Sequence, residues 1–448
     1  MSKIVLKNAT VMTDSGFKQT QVLIDGPYIA KIDPNINDSA QVEIDCSGKL
    51  VLPGLIDAHV HFRQPGMEHK ATIKTESAAA ALGGVTSFMD MPNTSPATTT
   101  IEALHNKQAL ASHDSYVNYG FYLGASEHNL EEVKRVDPHE IAGIKIYMGS
   151  TTGNLLLDDD NALFKMFEAA PTLVATHCED NGIINANTAL AKEMYGDKIP
   201  FEMHHIIRNR DCCVKSSLLA IEAAKATNKR LHIMHLSSQE EVELLSQYAQ
   251  GDIHNRQISA EVCIPHLFFN DTDYPRLKGF LKCNPAVKFE RDRRALIQGL
   301  RKSIITTIGT DHAPHELAVK QSENYLNVAS GLPSVQFSLN VIFELFKRKE
   351  LSLEEGIKAA TINVAERFGI EKRGLIKEGY FADIAIIDPR ERYTVHQDDI
   401  ASLCKWSPML NQSFSCKVTH TIASGNLVVA DSKLCSDSGN AMALRFNP

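Results

Sequence analysis

The middle of the chain alternates short apolar strands with helical segments, and this alternation constrains the fold more than any other feature. Eight candidate strands lie near residues 55–61, 85–91, 116–123, 143–147, 172–177, 231–236, 258–263 and 304–310. Ser238 and Glu241 have the spacing of a capping box, which predicts a helix that begins just after His235. Eight strand–helix units predict an α/β fold, a (β/α)8 TIM barrel with its functional residues at the carboxyl ends of the strands.

The two ends of the chain have a different pattern. Short alternating strands are predicted at residues 3–13, 20–24 and 28–32, and again at 379–388, 418–422 and 427–429. Turns such as Asp25-Gly26-Pro27 separate them. We therefore expect one small β-sandwich domain built from both termini, residues 1–52 and 376–448, beside a barrel of residues 53–375.

The composition excludes several classes of protein. A hydrophobic content of 43% with 22% charged residues is that of a soluble globular chain. A net charge of -8 argues against a nucleic-acid or anionic-membrane surface, so the expected partner is a small-molecule substrate. The nine cysteines are scattered and form no CxxC, and the N-terminus lacks the apolar run of a signal peptide. Both observations predict a cytoplasmic protein with reduced thiols.

Nitrogen and oxygen donors stand at or near the ends of five predicted strands. His59 and His61 are two residues apart on one strand, so their imidazoles point to the same face and can hold one divalent metal ion. Asp57 shares that face and could bind the metal or orient a ligand. The other strands contribute Lys145, His177, His235 and Asp311. Donors from five strands that converge on one rim predict a metal site.

This set of residues resembles the amidohydrolase superfamily of metal-dependent barrels, which has HxH on strand one, Lys on strand four, His on strands five and six, and Asp on strand eight. Within that superfamily the chain is similar to the dihydroorotases, in the longer class with an added β-domain. The resemblance covers essentially the whole chain. Its diagnostic segments are His59-Val60-His61-Phe62-Arg63-Gln64-Pro65-Gly66, Met91-Pro92-Asn93-Thr94 and Thr310-Asp311-His312-Ala313-Pro314-His315.

The resemblance implies a centre with two Zn²⁺ ions. One ion would be held by His59 and His61 together with Asp311, and the other by His177 and His235, with a carboxylated Lys145 as the bridge. Carboxylation is chemically reasonable, because a buried lysine near metals loses its proton readily. A hydroxide between the metals would be the nucleophile, and Asp311 would be the general acid and base.

The resemblance also implies a substrate and the residues that bind it. The reaction would be the reversible cyclisation of N-carbamoyl-L-aspartate to L-dihydroorotate, a step of de novo pyrimidine (UMP) biosynthesis. Arg63 can bind the substrate carboxylate bidentately, and Asn93 and His315 would complete the binding site for that carboxylate. The other expected contacts are Asn284 near the pyrimidine ring and Thr151 and Thr152 in a loop that closes over the substrate or is a passive connection.

Two alternatives remain at this point. A hydantoinase, dihydropyrimidinase or allantoinase would share the metal ligands, and Arg63 is the discriminating residue because a neutral ring needs no guanidinium. A catalytically silent barrel that binds a partner enzyme would be expected to have lost ligands, and none is missing. A homodimer is left open. Association with aspartate transcarbamoylase has no support in the sequence.

Overall fold

The computed structural model describes residues 3–149, 155–157 and 159–448. Its N-terminal region consists of five strands: β1 (Ile4–Thr13), β2 (Gly16–Asp25), β3 (Tyr28–Asp33), β4 (Val42–Asp45) and β5 (Leu50–Pro53). A tight turn joins β2 to β3 through Gly26, whose φ of +58° is in the left-handed region that favours glycine. Strand β5 leads into the barrel across a single residue, Gly54. A Cβ on Gly54 would lie 2.2 Å from Thr86, so only glycine fits there.

Eight parallel strands form the central barrel in chain order: β6 (Leu55–Val60), β7 (Val85–Asp90), β8 (Asn118–Gly124), β9 (Gly143–Tyr147), β10 (Val174–His177), β11 (Leu231–Ile233), β12 (Ile258–Cys263) and β13 (Thr307–Gly309). The His61 amide donates to the His312 carbonyl at 2.7 Å, which joins the first strand to the last. Every residue of these strands is buried, as expected where helices cover a parallel sheet. The predicted TIM barrel is therefore confirmed.

Helices surround the barrel: α1 (Ile73–Leu82), α2 (Ile101–Asp114), α3 (Leu130–Arg135), α4 (Asp160–Ala169), α5 (Asn181–Tyr195), α6 (His204–Ile207), α7 (Arg210–Thr227), α8 (Gln239–Leu245), α9 (Ile264–Phe268), α10 (Tyr274–Leu277), α11 (Glu290–Arg301), α12 (Leu317–Lys320), α13 (Ser338–Lys347), α14 (Leu353–Ala359) and α15 (Ile362–Phe368). Short 3₁₀ helices lie at Phe201–Met203, Ser246–Tyr248, Asp271–Asp273, Lys278–Leu281, Tyr325–Asn327, Val335–Phe337 and Gln397–Asp399. The predicted capping box is present, because the Ser238 side chain accepts from the amide of Glu241. Within the described ranges, no helix is both long enough and apolar enough to cross a bilayer.

The remaining strands follow the barrel: β14 (Ile384–Asp388), β15 (Tyr393–Thr394), β16 (Ser413–Phe414), β17 (Lys417–Ala423), β18 (Asn426–Ala430) and β19 (Lys433–Leu434). Strands β15 and β16 pair with each other. The others join the N-terminal strands in one nine-stranded sheet, in the order β19-β18-β17-β14-β5-β1-β2-β3 with β4 on β1. Strand β5 links the two halves, because it runs parallel to β1 and antiparallel to β14.

This composite sheet has an apolar core of its own, to which both ends of the chain contribute, for example Val11, Val51 and Ile384. The expected small β domain built from both termini is thus present. We propose that its boundaries fall at residues 52–53 and 375–376, as the sequence indicates.

Candidate active site

A cavity of about 370 Å³ opens among residues at and just beyond the carboxyl ends of the barrel strands. Ten of the predicted site residues line it: His59, His61, Arg63, Asn93, Lys145, His177, His235, Asn284, Asp311 and His315. The lining also includes six residues that were not predicted to be site residues: Tyr147, Arg208, Ala313, Ala329, Ser330 and Gly331. Thr151 and Thr152 lie outside the described residues.

His59, His61 and Asp311 form one group of donors. The Nε2 atoms of His59 and His61 lie 3.4 and 3.1 Å from Oδ1 of Asp311. Burial acts to raise the pKa of Asp311, but the interactions with the adjacent His59 and His61 imidazoles outweigh it, so the carboxyl group is ionised. Ring nitrogens and a carboxylate at this separation are a donor set that suits Zn²⁺.

Each of these two imidazoles is anchored on its other side. Nδ1 of His59 lies 2.7 Å from Oε1 of Glu261, and Nδ1 of His61 lies 2.7 Å from Oδ1 of Asn93. Since both oxygens accept, Nδ1 of each ring donates to them, and Nε2 is the nitrogen that faces the cavity and Asp311. Burial lowers the pKa of His61 to about 4, which keeps its ring neutral. Because Asn93 uses its Oδ1 atom in the contact with His61, its NH₂ group can donate to a ligand in the cavity.

His177 and His235 form a second group of donors. Nδ1 of His177 and Nε2 of His235 are 2.8 Å apart, with their ring planes at 79°. On the far side, Nε2 of His177 lies 2.9 Å from Oε2 of Glu179, which also accepts from Arg208 at 2.5 Å. Burial acts to raise the pKa of Glu179, but the Arg208 guanidinium and the contact with His177 together outweigh it, and the pKa falls to about 2. The carboxylate thereby orients His177.

Lys145 is completely buried in the middle of β9. Its Nζ contacts the Sδ of Met234 at 3.0 Å, and no carboxylate within the described ranges forms an ion pair with it. Burial lowers its pKa to about 8, so a substantial fraction of the amine is neutral and able to react with CO₂. A buried lysine without a counter-ion between two pairs of imidazoles fits a carboxylated bridge between two metal ions.

Arg63 and His315 form the side of the cavity that carries no metal donors. The Arg63 side chain donates from Nε to the Pro314 carbonyl at 3.1 Å, and its Nη2 lies 3.2 Å from Nε2 of His315. Arg63 is 5% exposed, and none of the carboxylates that the structure describes lies within 4 Å of its guanidinium. Burial, together with the charge of Arg63, lowers the pKa of His315 to about 2, so this ring is neutral.

Three residues of the cavity other than glycine have left-handed backbones. The φ angles of Arg63, His235 and Asp311 are +70°, +41° and +47°. Such angles are uncommon for residues other than glycine and cluster at functional sites. They also explain why these side chains reach the cavity from beyond their strands, since β6, β11 and β13 end two or three residues earlier.

Asp57, the alternative metal ligand, does not line the cavity. Its Oδ2 accepts from the Thr310 hydroxyl at 2.5 Å and its Oδ1 from the Thr310 amide at 3.1 Å. It therefore ties β6 to the residue that precedes Asp311. Glu261, which the sequence pattern did not indicate, occupies the anchoring position instead, and its signal in the sequence is that it is the only charged residue of its strand.

Comparisons with known proteins agree with this architecture. The family model described as "Amidohydrolase family" matches residues 50–428. A dihydroorotase of Methanosphaera stadtmanae is 31% identical over 434 residues, covering 96% of this chain and 97% of the relative. An allantoinase of Deinococcus radiodurans is 30% identical over 433 residues and 95% of both chains. The solved L-hydantoinase (dihydropyrimidinase) of Arthrobacter aurescens superposes with a TM-score of 0.93 at 25% identity, covering 99% of this chain and 100% of that one.

Proposed function

The chain belongs to the amidohydrolase family and is a cyclic-amide hydrolase, and on this basis we propose that it is a zinc-dependent dihydroorotase. It would interconvert N-carbamoyl-L-aspartate and L-dihydroorotate in de novo pyrimidine biosynthesis. A cytoplasmic location remains a prediction from the sequence, and a homodimer remains an open alternative.

The observation that carries this proposal is the buried guanidinium of Arg63 beside His315. A buried cation without an acidic partner is costly, so its retention in a cavity indicates an anionic ligand. L-dihydroorotate has a carboxylate on its ring, whereas hydantoin, dihydrouracil and allantoin are neutral. The pairing of Arg63 with that carboxylate distinguishes the proposed substrate from its neutral analogues.

The donor set supports a centre with two metal ions. His59, His61 and Asp311 would hold one Zn²⁺, and His177 and His235 the other, with Lys145 carboxylated between them. Bound zinc would supply Lewis acidity, which lowers the pKa of a water molecule and polarises the ring carbonyl. The anchoring of His59 by Glu261 and of His177 by Glu179 prepares both imidazoles for this task.

Asp311 is the residue placed to move the proton. Its ionised carboxylate faces the cavity beside His59 and His61, so it can accept a proton from the attacking water. The same group then gives that proton to the ring nitrogen as the amide bond breaks. In the cyclising direction the reacting carboxylate takes one proton from solvent, and Asp311 transfers the proton of the ureido nitrogen to the same carboxyl oxygen, which leaves as water. Arg63 and His315 hold the other carboxylate throughout.

A hydantoinase, dihydropyrimidinase or allantoinase activity is the alternative, and the similarity to the Deinococcus allantoinase and the Arthrobacter hydantoinase supports it. The deciding experiment measures kcat/KM of the purified protein on L-dihydroorotate, hydantoin, dihydrouracil and allantoin, with metal analysis of the same sample. We expect L-dihydroorotate to be preferred by roughly two orders of magnitude or more, with two zinc ions per chain. A neutral ring as the best substrate would overturn the proposal.

A further inference from the structure

Behind one wall of the cavity lies a buried lysine, Lys320, the last residue of α12. It is 1% exposed, and its Nζ donates to the carbonyls of Ala329 at 2.7 Å, Gly331 at 3.0 Å and Lys282 at 3.1 Å. Ala329 and Gly331 themselves line the cavity. One ammonium group therefore ties residues 329–331, the cavity wall, to the chain behind it.

A second buried lysine reinforces the same wall. Nζ of Lys282 donates to the carbonyls of Tyr325 and Val328, both at 2.7 Å. Neither Lys282 nor Lys320 forms an ion pair with any carboxylate in the described part of the chain. Burial lowers the pKa of Lys320 to about 7 and that of Lys282 to about 8, which reflects the cost of a cation solvated only by carbonyl groups. An anion in the cavity would offset that cost.

The wall connects directly to the residues proposed to bind the substrate carboxylate. Nε2 of His315 lies 3.0 Å from the Ser330 carbonyl and 3.2 Å from Nη2 of Arg63. Trp406 donates from its indole Nε1 to the His315 carbonyl at 2.7 Å, and Nζ of Lys320 lies 5.4 Å from the Trp406 ring centroid. His315 is thus held between the wall and Trp406, with Lys320 packed against both.

We propose that Lys320 is a positioning residue that makes this cavity selective for anionic cyclic amides. It holds the wall and His315 in the arrangement that receives the substrate carboxylate, and it adds buried positive charge behind them. Lys320 is not among the residues that line the cavity, so we expect it to touch neither the substrate nor the reacting atoms. The inference rests on the proposed function, because it assigns a second determinant of carboxylate recognition beyond Arg63.

The test compares three variants on a charged and a neutral substrate. Lys320→Met removes the charge and the three hydrogen bonds while keeping the length of the side chain, and Lys320→Arg keeps the charge. Lys229→Met is the control. Like Lys320, Lys229 donates to a backbone carbonyl, that of Ala170 at 2.8 Å, but it lies just before β11, at the end of the barrel opposite the cavity. The readouts are KM and kcat on L-dihydroorotate and on dihydrouracil.

For Lys320→Met we expect KM for L-dihydroorotate to rise about tenfold or more, while kcat changes by less than about threefold and kcat/KM for dihydrouracil by less than about twofold. Lys320→Arg should restore most of the affinity, and Lys229→Met should behave as wild type. A general structural defect would instead reduce turnover of both substrates together. Equal losses on both substrates, or an unchanged KM for L-dihydroorotate, would overturn the proposal.

Binding can be followed without turnover, because Trp406 is the only tryptophan in the chain. In an Asp311→Asn background, titration of Trp406 fluorescence with L-dihydroorotate should show about tenfold weaker binding when Lys320 is also methionine. If Lys320→Met does not fold, Lys282→Met removes the neighbouring charge from the same wall. This variant must weaken the binding of L-dihydroorotate without affecting dihydrouracil, or the inference is wrong. If the wild type neither binds nor converts L-dihydroorotate, the proposed function itself fails. If it converts L-dihydroorotate and the variants keep its selectivity, only the Lys320 inference fails.

Discussion

Replacing Arg63 with methionine tests the substrate assignment most directly, because it removes the guanidinium and keeps an apolar side chain of similar length. Arg63 is 5% exposed, and its hydrogen bond to the Pro314 carbonyl and its contact with His315 hold it at the cavity. Removal of one partner of a buried hydrogen-bonded charge pair costs about 2–5 kcal/mol. At about 1.4 kcal/mol per factor of ten, kcat/KM for L-dihydroorotate should fall by roughly 30- to 5,000-fold.

Arg208 supplies a matched comparison, since it is the other arginine that lines the cavity. Its guanidinium pairs with Glu179, which in turn orients His177. Arg208→Met should therefore weaken metal binding and reduce turnover of every substrate. Arg63→Met should leave the metal content intact, because Arg63 contacts none of the proposed metal ligands. It should also leave the turnover of neutral cyclic amides unchanged, because these substrates have no carboxylate for Arg63 to bind.

The assay measures kcat/KM of the wild type and both variants on L-dihydroorotate and dihydrouracil, with metal analysis of each preparation. The expected result is a loss confined to L-dihydroorotate in Arg63→Met and shared by both substrates in Arg208→Met. If Arg63→Met retains its turnover of L-dihydroorotate, the carboxylate is held elsewhere and the main support for the substrate is lost.

Three other substitutions test the metal centre. Lys145→Ala should lose much of the bound metal and nearly all activity, and a small carboxylic acid should partly restore both; two tightly bound ions with full activity would exclude a carboxylated bridge. Asp311→Asn should keep substantial metal but lose turnover in both directions, so a defect in only one direction would contradict a shared proton carrier. Glu261→Gln keeps an acceptor for Nδ1 of His59 but removes the charge, and metal affinity measured by competition with a chelator should fall about 10- to 100-fold. An unchanged affinity would show that the charge of Glu261 is not needed.

The barrel and most of the cavity were predictable because their signals are local. Strand and helix periods identified all eight strands, and the donors stand at or just beyond strand ends, where the fold brings them together. The predicted ends were less accurate where the backbone turns. The strand predicted to reach residue 236 ends at Ile233, and the one predicted to reach 310 ends at Gly309, because His235 and Asp311 adopt positive φ angles.

The residues that the sequence analysis missed act through contacts between distant segments. Glu261 reaches His59 across 202 positions, and Trp406 reaches His315 across 91. Arg208 lies between α6 and α7 rather than at a strand end, so no strand pattern indicates its place in the cavity. Only the packing of the whole barrel brings such pairs together, and a single sequence carries no periodic signal for them.

The composite sheet also determines the order in which a newly synthesised chain can complete its barrel and its β domain. Strand β5 pairs with β14 from Leu50 opposite Ile387 to Pro53 opposite Ile384, so about 330 residues separate the two partners. At about 5–20 residues per second, a ribosome needs roughly 20–70 s to cover that interval. All eight barrel strands are synthesised during this interval, while one edge of β5 remains unpaired and able to pair with an incorrect strand. The N-terminal strands can thus pair among themselves early, whereas β5 completes its pairing only after β14 leaves the ribosome, and its second edge can mispair until then.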